Sequence, residues 1–170
     1  AEQLFFTTVR ITSVTKNGDI STGTAFIVSY PWEDSTAIFL VTNKHVINDA
    51  VSTHFFFTET DNGQQPLLGQ RLDINLQNQE WHGHPDPNVD IAITPLVPIL
   101  NEVGKMGKTA FIKNIPSSLI PTQQQLNELD ALENIVFVGY PNGIFDTRNL
   151  LPIIRKGTTA SPLQVDYNGE

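Results

Sequence analysis

Two residues of this chain have the type and setting for proton-transfer chemistry. His45 ends the apolar run in Val41-Thr42-Asn43-Lys44-His45-Val46-Ile47, and Asp90 heads another in Val89-Asp90-Ile91-Ala92-Ile93. An imidazole can take and return a proton near neutral pH because its ordinary pKa is about 6.5. A buried carboxylate that accepts from Nδ1 fixes the tautomer that leaves Nε2 free toward a hydroxyl, and it stabilises the imidazolium that forms. His45 is therefore the candidate general base and Asp90 the residue that orients it. Taken singly, each has an ordinary structural explanation, a satisfied histidine after a strand and an aspartate capping a turn. The chemistry is carried by the two together.

The elements that must position them read as those of an all-β protein. Phe5 to Val14 and Thr24 to Tyr30 are rich in β-branched and aromatic residues, and Asn17-Gly18 between them signals a hairpin whose type I′ turn needs positive φ at both central residues. Ala37 to Thr42 is a continuous apolar run leading to His45. Phe55-Phe56-Phe57 and Arg71 to Leu76 give a further pair around Asp61-Asn62-Gly63, with Leu72, Ile74 and Leu76 alternating against Asp73, Asn75 and Gln77. Asp90 to Leu96 alternates as well until Pro95.

Past Pro98 the texture changes. Asn101 to Lys108 reads as a polar connection, which divides the chain into 1–100 and 101–170. In the second part, Thr109 to Lys113, Ile135 to Tyr140, Leu151 to Arg155 and Leu163 to Tyr167 are strand candidates. Leucines at 126, 129 and 132 are spaced for one helical face. Thr122 stands as an N-cap before Gln125, which predicts a short helix within 122–133.

These motifs fall in a familiar order. Thr22-Gly23-Thr24-Ala25-Phe26, then T-N-K-H-V-I from Thr42 to Ile47, then D-I-A-I from Asp90 to Ile93, resemble the first half of a trypsin-like (chymotrypsin-fold) serine peptidase of bacterial type. Gly139-Tyr140-Pro141-Asn142-Gly143, Asp146 and Pro152-Ile153-Ile154-Arg155-Lys156-Gly157 are similar to the middle portion of the same family. The resemblance implies a double β-barrel, the first barrel complete within 1–100 and the second incomplete within 101–170. It also implies peptide-bond hydrolysis by a Ser-His-Asp triad in which His45 and Asp90 are two members, acting on a peptide or protein substrate. Asn43-Lys44 departs from the alanine pair of the digestive enzymes.

The family's glycine-x-serine-glycine-glycine string does not occur up to Glu170. Ser117, Ser118 and Ser161 have no flanking glycines to let the backbone approach an oxyanion. The nucleophile and the oxyanion hole come from one loop in this family, so a protein of these residues alone is expected not to cleave peptides. Its second barrel is expected to present open strand edges, covered by a dimer partner or a C-terminal segment. The alternative class is a non-catalytic peptidase-like module that binds or scaffolds, since fold does not fix function.

Composition removes several other classes. The 170 residues carry 18 acidic against 10 basic side chains, a net charge of −8, which is not the basic field that phosphate backbones require. No apolar run approaches the roughly 20 residues of a membrane span, and Ala1-Glu2-Gln3-Leu4 lacks the pattern of a signal peptide. There is no cysteine, hence no disulfide, thiolate metal site or cysteine nucleophile among these residues. Secreted eukaryotic members of the family usually carry disulfides, so the resemblance leans toward a bacterial or intracellular setting and leaves the compartment open. His82-Gly83-His84-Pro85-Asp86 offers two imidazoles and a carboxylate that an extended strand would point to one side. Gly83 and Pro85 oppose a regular strand, and the expectation is an exposed loop with no metal or cofactor.

Overall fold

A computed structural model describes residues 2–165. Among them, nine strands join one largely antiparallel sheet and two more form a separate hairpin. Strands β1 (Thr8–Thr15), β2 (Ile20–Trp32) and β3 (Ser35–Thr42) follow one another, and the short helix α1 (Lys44–Ile47) comes directly after β3. Strands β4 (Ala50–Thr60), β5 (Leu67–Gln77), β6 (His82–Gly83) and β7 (Ala92–Pro95) complete a path ordered β5-β4-β1-β2-β3-β7-β6. Helix α2 (Val97–Lys105) follows, then β8 (Thr109–Phe111), which pairs with β4, and β9 (Ile115–Pro116), which runs parallel to β2.

Alternation puts one face of each strand into a common core. Val9 and Ile11 of β1, Ala25 and Ile27 of β2, Leu40 of β3, Phe55 and Phe57 of β4, and Leu72 and Ile74 of β5 are all buried. Period 2 in β5 is realised as read, with Asp73, Asn75 and Gln77 on the wet face. Within this core Trp81 lies against Phe55 at 6.2 Å between ring centroids.

Several local expectations are corrected. The first strand begins at Thr8, because Glu2–Phe6 forms a 3-10 turn. At the first hairpin only Gly18 has positive φ (86°), and its N–H donates to Thr15 O at 3.0 Å. That is a type I turn followed by a left-handed glycine, rather than type I′. The stretch 101–108 begins inside α2, where the N-cap Leu96 and then Ile99, Leu100 and Val103 recur at i, i+3, i+4 and i+7 and pack into the core. Helix α3 spans only Gln123–Asn127. Its capping box is formed as expected, Gln125 N–H donating to Thr122 Oγ1 while Gln125 Oε1 accepts from Thr122 N–H. Leu129 and Leu132 fall outside it. Leu132 has φ 68° and donates its N–H to Thr159 O, so the chain there is committed to the second hairpin.

That hairpin pairs β10 (Asn134–Gly139) with β11 (Ile153–Thr158), in register from Asn134 opposite Thr158 to Gly139 opposite Ile153. The strand expected at Leu151 starts two residues later. Leu163 to Val165 form a turn and bend, while Asp166 and Tyr167, expected to continue a strand, lie outside the described residues. Val136 and Phe137 are exposed, and among the described residues neither hairpin strand has a second neighbour. Among the described residues no helix is long and apolar enough to cross a membrane.

Candidate active site

The strand order explains how His45 and Asp90 meet. β3 and β7 are neighbours, with Thr42 opposite Ala92, so the residue just after one strand and the residue just before the other lie at the same end of the pair. His45 sits in the single turn of α1, and Asp90 closes the loop from His84 that re-enters the sheet at Ala92. Both carboxylate oxygens are used. His45 Nδ1 and Asp90 Oδ2 are 2.5 Å apart, and the His45 backbone N–H donates to Oδ1 at 3.1 Å.

The helix that carries His45 is seated by a glycine. A Cβ on Gly23 would lie 2.6 Å and 2.8 Å from the two methyls of Val46, which is buried, so only glycine lets α1 settle against β2. The next residue, Thr24, accepts from Thr42 Oγ1 through its carbonyl at 2.9 Å and from Tyr140 N–H through its hydroxyl at 2.8 Å. Gly139 is needed there too, since its Cβ would come 2.7 Å from Thr24 Oγ1. Thus Gly23-Thr24 and Gly139-Tyr140, far apart in sequence, form one junction that meets α1 at Val46. Burial pushes the Tyr140 phenol up to about 12, although a bond with Thr8 and the nearby Arg10 charge act the other way. The phenol therefore keeps its proton at neutral pH.

The electrostatics of the pair follow from the contact. The His45 side-chain hydrogen bond holds the Asp90 carboxyl below the ordinary aspartate value of 3.8, with the His45 backbone N–H assisting and partial desolvation opposing. Asp90 is not buried as expected from sequence. The side chains of His45 and Asp90 are 69% and 46% exposed, because the 84–90 loop lies on the surface beyond the β6–β7 pairing. Exposure leaves the pair screened by water, so its geometry rather than its strength orients the imidazole. With Nδ1 engaged, Nε2 is the open nitrogen. Among the described residues no serine or threonine hydroxyl bonds to it.

The remaining candidates lie elsewhere. Ser117 and Ser118 belong to a 3-10 turn after β9, beside an apolar groove lined by Val41, Ile93 and Ile120. Ser161 lies in a bend, and none of the three serines pairs with His45. His82 is in β6, its Nε2 3.8 Å from Glu80 Oε1. His84 Nδ1 accepts the Asp86 N–H at 3.1 Å, which turns the loop instead of aligning three ligands. Among the described residues no three histidine or carboxylate side chains group as metal ligands.

Sequence reasoning passed over two contacts. Asn43 Nδ2 donates to the Asp90 carbonyl at 2.9 Å, and Lys44 Nζ donates to the Asp86 carbonyl at 2.8 Å. The signal was that two polar side chains, Asn43 and Lys44, stand immediately before the histidine where the digestive enzymes have an alanine pair. No family model matches this chain, and no curated protein matches it either.

Proposed function

We propose that this chain carries the general-base half of a serine endopeptidase site, in a chymotrypsin-like double barrel whose first barrel is formed by the sheet around Phe55 and Leu40. One observation carries this reading. Asp90 engages the Nδ1 side of His45 with one oxygen and its backbone N–H with the other, leaving Nε2 as the free base. In the reaction, a serine hydroxyl from outside the described residues adds to the peptide carbonyl as its proton passes to His45 Nε2. That proton then goes to the leaving amine as the C–N bond breaks. Water repeats the sequence on the acyl-enzyme and regenerates the serine. Asp90 remains ionised throughout and offsets the imidazolium charge.

The reading is tested by fluorophosphonate labelling of the protein as it occurs in the cell. Label on one serine, lost in His45→Ala, is the expected result. Absence of any labelled serine while a peptide ligand still binds would instead establish the binding-module class. The 170-residue chain alone is expected not to hydrolyse peptides, because no hydroxyl among the described residues reaches Nε2.

A further inference from the structure

The loop that presents Asp90 has little packing to hold it. Residues 84–88 and Asp90 are exposed, and only Val89 is partly covered. Its base is tied by the two-residue β6–β7 pairing and by His84 N–H donating to Ile91 O at 2.8 Å. Its tip turns on itself. The Asp86 carbonyl accepts from Val89 N–H at 3.2 Å, and Asp86 Oδ1 accepts from Asn88 N–H at 2.9 Å. None of these bonds reaches α1, and the β3–β7 ladder that brings the two segments to one end stops at Ala92, two residues short of Asp90.

Two side chains do reach across. Lys44 lays its stem over Gly83, where a Cβ would come 3.3 Å from Lys44 Cε, and its ammonium meets the Asp86 carbonyl at 2.8 Å. Asn43 Nδ2 holds the carbonyl of Asp90 itself at 2.9 Å. Residues 43, 44 and 45, consecutive at the start of α1, thus grip the loop at its tip, at the Asp90 backbone and at the Asp90 carboxylate. A pair that is half open to water gains little from its own attraction, so alignment must come from what fixes the two backbones.

We propose that Asn43 and Lys44 are positioning residues that clamp the 84–90 loop onto α1 and thereby set the Asp90 carboxylate against His45 Nδ1. The clamp deepens the peptidase reading and rests on it for its purpose, but its test needs no hydrolysis. In the 170-residue chain, two NMR signals report the contact: the low-field Nδ1 proton of His45 and the titration midpoint of the Asp90 side-chain carbonyl carbon. Asn43→Ala and Lys44→Met should each weaken or abolish the low-field proton and move the Asp90 midpoint up toward the ordinary 3.8. Lys44→Arg, which can still reach the Asp86 carbonyl, should restore both. Asn43→Ala alters no charge, so a midpoint shift there separates positioning from the loss of the Lys44 ammonium. Wild-type signals in both Asn43→Ala and Lys44→Met would overturn the clamp. Failure of serine labelling in the protein as it occurs in the cell would instead overturn the peptidase reading and leave the clamp standing.

Discussion

His45–Asp90 and His54–Asp73 both place an imidazole Nδ1 beside a carboxylate, at 2.5 Å and 3.6 Å respectively. The second contact is a by-product of sheet register. β4 and β5 are adjacent, His54 faces Asn75 and Phe56 faces Asp73, so histidine and aspartate are diagonal neighbours on one face. The Asp73 carboxylate is also shared with Arg71 at 3.3 Å, the His54 ring stacks on Phe56, and 3.6 Å is too long for a hydrogen bond. In the first contact both carboxylate oxygens serve one residue, and neighbouring side chains grip the loop that brings them. Proximity of a base and an acid is common in a sheet. The His45–Asp90 bond instead joins a helix and a loop that the β3–β7 pairing and the Asn43 and Lys44 contacts bring together.

The comparison breaks most sharply in rate. On the peptidase reading, Asp90→Asn in the protein as it occurs in the cell is expected to lower kcat by about 10⁴-fold, the loss typical of a triad whose histidine is left in the wrong tautomer. Asp73→Asn should leave kcat unchanged, and steady-state peptide hydrolysis by the two variants makes the check. Equal losses would mean that the two contacts do not differ as described.

A smaller effect tests the seat of α1. Gly23→Ala forces a methyl into the Val46 side chain, and overpacking of this kind costs about 1–3 kcal/mol. Melting should fall by several degrees. Gly104→Ala is the control, since a Cβ there meets nothing within 4 Å, and removing a helical glycine should stabilise by roughly 0.5–1 kcal/mol. Thermal denaturation of both variants decides whether Gly23 is held by packing.

Smaller still is the sheet contact, where Asp73→Asn is expected to cost no more than about 1 kcal/mol because both partners are substantially exposed. Urea unfolding measures it. The mildest effect concerns pH. Asp90 is held below its ordinary 3.8, so the stability from its pairing is complete above that value and is lost as pH falls through the lower folded midpoint. Melting temperatures of wild type and Asp90→Asn should therefore differ above pH 3.8 and converge as acid protonates Asp90.

Much of this was legible in the chain. Alternation at Leu72 and Ile74 and the apolar run before His45 located β5 and β3, and Thr22-Gly23-Thr24 marked the strand on which the histidine helix rests. Helix α2 was hidden because Pro95 and Pro98 read as breakers, although proline at a first helical turn costs no hydrogen bond. Helix α3 was overread because three leucines at helical spacing outweighed the hairpin that claims Leu132 through Thr159. The exposure of Asp90 and the reach of Asn43 and Lys44 depend on where a surface loop lies in space, which local pattern does not encode.

The central claim is that His45, and not merely any histidine beside a carboxylate, is the base. On the peptidase reading, peptide hydrolysis by the protein as it occurs in the cell should fall by about 10⁶-fold in kcat for His45→Ala, as when a catalytic histidine is removed from such a triad. His54→Ala should hydrolyse at the wild-type rate. A His45→Ala protein that still turns over its peptide, or a wild-type protein isolated from the cell that cleaves none, would contradict the account.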